Sequence, residues 1–123
     1  MHELSVCQAL LAQVAEIAAN RGANRVIRIT VEVGPLCGVE PSLLANAFAV
    51  ARTGSCAAEA ALAIETSVVR VCCRTCRAES EVAPNRLLCV ACGGYRTQVI
   101  GGDELRLRRV ELQATAAPLA RSA

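Results

Sequence analysis

The chain contains no lysine and no tryptophan, and only one each of phenylalanine, tyrosine, methionine and histidine among 123 residues. Each scarcity excludes something. With Phe48 and Tyr95 as the only aromatics, the core must be aliphatic, and there is no platform of rings on which nucleic-acid bases could stack. Without lysine there is no G-x-x-x-x-G-K-[ST] phosphate loop; a nucleophile elbow is also absent, and no histidine stands beside a serine or cysteine nucleophile. The chain is therefore not expected to be an enzyme. No apolar run approaches the ~18 residues of a membrane helix. The opening MHELSVCQALL lacks the basic region and cleavage site of a secretory signal, so a cytoplasmic location is expected. The net charge of +2 is too small to argue for nucleic acid or an anionic membrane.

What the chain does have is cysteine, eight of them. In a cytosolic context these favour metal binding or redox chemistry over disulfides. Cys73-x2-Cys76 and Cys89-x2-Cys92 form two knuckles, and together they complete a tetrahedral four-sulfur shell suited to structural Zn(II). That shell is closed and leaves no position for a catalytic water. Redox-active thiols are the competing reading, but the βαβ setting of a CxxC redox motif is missing. Cys72 could replace Cys73; the two-residue spacing to Cys76 favours Cys73. Four thiolates and one zinc ion would bring the net charge from +2 to about zero. Cys7 reads as a small core hydrophobe, Cys37 as an exposed loop thiol, and Cys56 has no assigned role.

The periodicities predict α+β architecture. Leu4, Cys7, Leu11, Val14 and Ile17 mark a helix ended by Gly22. Arg25 to Val33 alternates as a strand, with Ile27, Ile29, Val31 and Val33 on one face. Pro41 opens a second helix, whose apolar face holds Leu43, Leu44, Ala47, Phe48 and Ala51. A second strand is expected over Leu62 to Val71, and a last one over Glu104 to Leu112 with a bulge at Arg108-Arg109. Between the knuckles, Pro84-Asn85 suggests the turn of a small hairpin. The last strand cannot stand alone and should return to the first sheet. The expectation is two helices packed on a small, mostly antiparallel sheet with an inserted zinc-ribbon-like domain. Residues 1–71 and 102–112 would form the α/β domain, 72–101 the zinc-binding insert, and 113–123 a disordered tail.

The single histidine is His2. Zinc does not need it. The α-amine of Met1, the amide nitrogen and ring of His2, and a fourth donor from Glu3 could chelate one cation in adjoining rings. Planar nitrogen/oxygen shells point to Ni(II) or Cu(II). Because an amide must lose its proton, binding should weaken on acidification. The residues alone also fit a solvated terminal histidine with no role.

MHELSVCQALL, VEVGPLCGVEPSLLANAF, CRTC…CVAC and GGDELRLRRVEL resemble the HypA/HybF family of nickel metallochaperones, over nearly the whole chain from Met1 to about Leu112. The resemblance implies Ni(II) as transported cargo at Met1, His2 and Glu3, with Glu40 a secondary candidate. It implies a structural Zn(II) at Cys73, Cys76, Cys89 and Cys92 that tunes the nickel end. The implied partners are a HypB-type GTPase and the nickel-iron hydrogenase large-subunit precursor, and for some members urease maturation proteins. The chain departs from the family at Cys37, where serine is common, and in the additional Cys7 and Cys72. No nucleic-acid or membrane partner is expected, and a monomer or homodimer is. The alternative is a zinc-ribbon nucleic-acid or protein interaction module, since Arg74, Arg77, Arg86 and Arg96 surround the knuckles.

Overall fold

The computed structural model describes residues 3–113; Met1, His2 and residues 114–123, and with them most of the expected tail, lie outside the described residues. Along the chain come α1 (Glu3–Asn20), β1 (Val26–Val33), α2 (Pro41–Ala51), β2 (Ala61–Thr66), β3 (Val69–Cys73), β4 (Glu79–Val82), β5 (Thr97–Gly101) and β6 (Leu105–Leu112). The strands make two three-stranded sheets, ordered β2-β1-β6 and β4-β3-β5. The fold is two helices with small antiparallel sheets, as expected. β6 returns to the first sheet beside β1.

Local chemistry accounts for the helices. α1 buries Cys7, Leu11, Val14 and Ala18, spaced at four, three and four residues. Ile17 is only half-buried and Leu4 is exposed, so the buried stripe lies slightly to one side of the expected one. The helix ends in a Schellman turn. The Ala23 N–H donates to Ala18 O and the Gly22 N–H to Ala19 O, with Gly22 at φ +68°. In α2, Glu40 is the N-cap: its carboxylate accepts from the Ser42 N–H at 3.2 Å, and Pro41 follows where no N–H is needed. Leu44 and Phe48 supply its buried face, while Leu43 stays half exposed. Each of those two buried side chains contributes ~2–3 kcal/mol of transfer free energy. The Arg52 guanidinium stacks 4.8 Å from the Phe48 ring centre and donates to Ala58 O and Ala60 O, which fixes the turn after α2.

Three expectations need correction. The strand predicted over Leu62 to Val71 is two strands, β2 and β3, in different sheets. The chain breaks at Ser67-Val68 because Gly102 crosses there: a Cβ on Gly102 would lie 2.7 Å from Val68 O and from Val69 Cα. Ile27 is exposed and Val26 is buried, because the burial pattern of β1 slips by one near its start. Between the knuckles, Pro84-Asn85 does form a turn, with the Arg86 N–H donating to Ala83 O, but no strand follows it. The hairpin is instead β3–β4, which encloses the first knuckle and has Val69 opposite Val82 and Cys72 opposite Glu79. In β6 the outward positions Arg108 and Arg109 are consecutive, the slip expected there.

The chain divides into two compact units. One contains Glu32–Val39 and Ile64–Arg106; the other contains the segment ending at Val31, Glu40–Ala63 and the segment starting at Leu107. In the unit that carries the knuckles the central strand, β3, begins at Val69, before the first cysteine. Within it, the Gly34 N–H donates to Glu104 O and the Leu36 N–H to Gly102 O. A Cβ on Gly34 would lie 2.4 Å from Gly102 O, so only glycine fits this crossing.

Candidate metal centre

β3 delivers Cys73, and the loop before β5 delivers Cys89 and Cys92. The ligand atoms of Cys73, Cys76, Cys89 and Cys92 all lie within 4.8 Å of one another. The Sγ atoms of Cys73 and Cys92 are 3.7 Å apart, and those of Cys76 and Cys89 3.5 Å. A tetrahedron of thiolates about 2.3 Å from zinc has edges of about 3.8 Å. Four sulfurs at this separation are a soft, closed donor set, and it fits structural zinc. Cys72 takes no part. Alternation along β3 turns it to the opposite face from Cys73, and its thiol lies 3.9 Å from Cys73 O.

The two knuckles are built alike. In the first, the Cys73 N–H donates to Ala78 O and the Arg77 N–H to Cys73 O; in the second, the Cys89 N–H donates to Gly94 O and the Gly93 N–H to Cys89 O. The Cys76 N–H points at Cys73 Sγ and the Cys92 N–H at Cys89 Sγ, both at 3.4 Å. In each knuckle the residue after the second cysteine is left-handed: Arg77 at φ 66° and Gly93 at φ 73°. The first cysteine of each knuckle is buried and the second exposed. Gly94 keeps space for the cluster, since a Cβ there would lie 3.2 Å from Cys92 Sγ. These devices escaped the sequence reading. The signal for them is the residue after each CxxC, glycine in one knuckle and arginine in the other.

The backbone also sets the electrostatics. The Cys76 N–H, then the Thr75 N–H, pull the Cys73 thiol down to about 6. The Cys92 N–H, more than any other group, lowers Cys89. At Cys76 the largest influence, the amide of Ala78, is downward, but the Cys89 thiol, burial and the other two sulfurs outweigh it and push the group up to about 12. Cys92 is raised in the same way: the amide of Gly94 lowers it, and the sulfurs of Cys73 and Cys89 prevail. In each knuckle the first sulfur is thus lowered and the second raised. A cation that binds displaces any proton the sulfurs still hold.

Of the amino-terminal candidates, Met1 and His2 lie outside the described residues. Glu3 opens α1, and its Oε2 accepts the Glu40 N–H at 3.3 Å, so the structure brings Glu3 and Glu40 together. The Glu40 carboxylate is engaged in capping, since Oε1 also accepts from Ser42 Oγ at 3.1 Å. Cys7 is buried in α1 and points at Leu44 O, 3.4 Å away. Burial, and secondarily the charge of Glu3, raise its thiol above the usual 9.0. Cys37 and Cys56 are partly exposed and stand outside the cluster. No described helix is long and apolar enough to cross a membrane.

Comparison with known proteins agrees with this geometry. A family model described as hydrogenase/urease nickel incorporation, metallochaperone, hypA matches residues 1–112. The hydrogenase maturation factor HypA of Nitrosospira multiformis is 43% identical over 115 residues, spanning 94% of this chain and all of the relative. That of Aquifex aeolicus is 37% identical over 113 residues, spanning 92% and 98%. Among solved structures, the Ni metallochaperone HypA from Helicobacter pylori is 29% identical with a TM-score of 0.70, covering 93% of this chain and 99% of that one. The chain belongs to the HypA family of hydrogenase/urease nickel-incorporation metallochaperones.

Proposed function

We propose that the chain holds Ni(II), as cargo, on the α-amine of Met1, the amide nitrogen and imidazole of His2, and a donor from Glu3, with Glu40 the secondary candidate. The observation that carries this reading is the family match from the first residue to residue 112, together with a four-cysteine cluster that needs no histidine. Cys73, Cys76, Cys89 and Cys92 hold zinc, which cross-links the knuckles and does no chemistry on the cargo. The zinc-binding segment 72–101 is an insert in an α/β domain of residues 1–71 and 102–112. The protein is not itself an enzyme and works in the cytoplasm. A HypB-type GTPase supplies nucleotide hydrolysis, and the hydrogenase large-subunit precursor receives the metal.

A carrier must bind selectively and release readily. A terminal chelate is reached by a partner's donors one ligand at a time, and each exchange loosens the remainder. The Glu3 carboxylate, seated on the Glu40 amide, ties the first residue of α1 to the N-cap of α2. The test is metal analysis of protein with a native amino terminus. One nickel per chain is expected, lost in His2→Ala and on adding a single preceding residue, with zinc retained in both. Unchanged nickel affinity in both variants refutes the assignment.

A further inference from the structure

The carboxyl-terminal half of α1 and strand β6 leave a groove of about 270 Å³ between them. Ile17, Leu107, Val110 and Leu112, all half-buried, line it with apolar surface, and Arg21 and Arg109 stand at its rim. Among the described residues, neither Arg21 nor Arg109 is in an ion pair. β6 is the outer strand of the β2-β1-β6 sheet and is eight residues long. A strand at a sheet edge presents unpaired N–H and C=O groups along one side. Groove, charge and edge therefore coincide on one element.

We propose that this groove is a docking site for an extended, acidic segment of a partner protein, which lies along β6 as an added strand. Its main chain pairs with the edge, alternate apolar side chains enter the groove, and its carboxylates meet Arg21 and Arg109. Charge selects this occupant over the others. A second copy would bring the same arginine-bearing edge against itself, and like charges directly opposite repel. The chain's own segment after Gln113 carries Arg121 and no acidic side chain, so its side chains offer the arginines no carboxylate. The outward Arg109 that discourages self-pairing is the feature that admits an acidic strand. A nucleic acid would satisfy the arginines but leave the apolar lining unfilled, and no tryptophan, tyrosine or phenylalanine lines the groove.

The test uses the full-length, zinc-loaded protein and a capped peptide of alternating glutamate and valine, with its lysine–valine counterpart as control. The acidic peptide should bind, shift the backbone amide resonances of residues 105–113, and bind more weakly as salt rises. The double variant Arg21→Glu/Arg109→Glu should weaken binding about tenfold or more with zinc content unchanged. If that variant loses zinc, Arg109→Gln alone gives the same reading with a loss of about threefold. Equal binding of the lysine peptide, unaltered affinity in the variants, or shifts confined to another surface overturn the proposal. So does an oligonucleotide of matching charge that binds the same amides as tightly, which would assign the groove to nucleic acid.

Discussion

Because the knuckles share one hydrogen-bond pattern, they provide a controlled pair of substitutions at the left-handed position. Arg77 (φ 66°) and Gly93 (φ 73°) share a left-handed φ, and one carries a side chain while the other does not. A left-handed non-glycine residue costs ~1–2 kcal/mol. Glycine in turn loses more freedom on folding, by ~0.5–1 kcal/mol. A Cβ added at Gly93 meets nothing within 4 Å, so no contact energy enters. Gly93→Ala should therefore destabilise the knuckle by about 0.5–1 kcal/mol, the difference between these two effects. Arg77→Gly should stabilise it by the same amount. Folding of such a unit is coupled to its metal, so the change appears in zinc affinity, about two- to fivefold weaker and tighter respectively. Gly94→Ala is the contrast. Its Cβ would press on Cys92 Sγ at 3.2 Å, and a metal-held sulfur cannot give way. Overpacking of about 1–3 kcal/mol predicts a loss of roughly five- to hundredfold. Zinc affinity can be read by competition against a chromogenic chelator. A Gly93→Ala effect as large as that of Gly94→Ala, or an Arg77→Gly that weakens zinc, would refute the conformational argument.

Three further predictions probe the rest of the molecule. Leu44→Ala removes a fully buried side chain from α2 and should cost about 2–5 kcal/mol, measured as a lower urea midpoint with zinc and nickel stoichiometry intact. Gly34→Ala places a methyl group 2.4 Å from Gly102 O and 2.9 Å from Glu104 O, both main chain, so it should lower stability more than Gly22→Ala, where only the φ is at issue; a milder effect than Gly22→Ala refutes the crossing as described. Cys7 is raised in the folded state by burial and by Glu3, so its neutral form favours folding. That contribution is complete below the unfolded value near 9.0 and is lost as pH rises above it. Urea midpoints followed from neutral to alkaline pH should fall more steeply in wild type than in Cys7→Ala, and parallel curves would count against it.

The knuckle spacing and the Pro41 helix start were legible in the sequence because each rests on near neighbours, and the last strand's return to the first sheet was legible because so short a strand cannot stand alone. The misreadings share a cause as well. Ser67-Val68 looks like strand continuation, and nothing local interrupts it. The break is imposed by Gly102, thirty-four residues after Val68, whose missing side chain lets two backbones cross. Ile27 is β-branched and in phase with Ile29, yet Val26 takes the core, because burial is decided by the sheet and not by alternation alone. At the amino terminus the sequence supplies Glu3 and Glu40 as separate candidates. The fold joins them through one hydrogen bond from the amide of one to the carboxylate of the other. This makes Glu3 part of the scaffold as well as a proposed donor. Glu3→Gln keeps an acceptor for that amide and removes the charge, whereas Glu3→Ala removes both. If the seating matters to the carrier, nickel affinity should fall further in Glu3→Ala than in Glu3→Gln. If the two variants are equally impaired, the charge alone is what the metal uses.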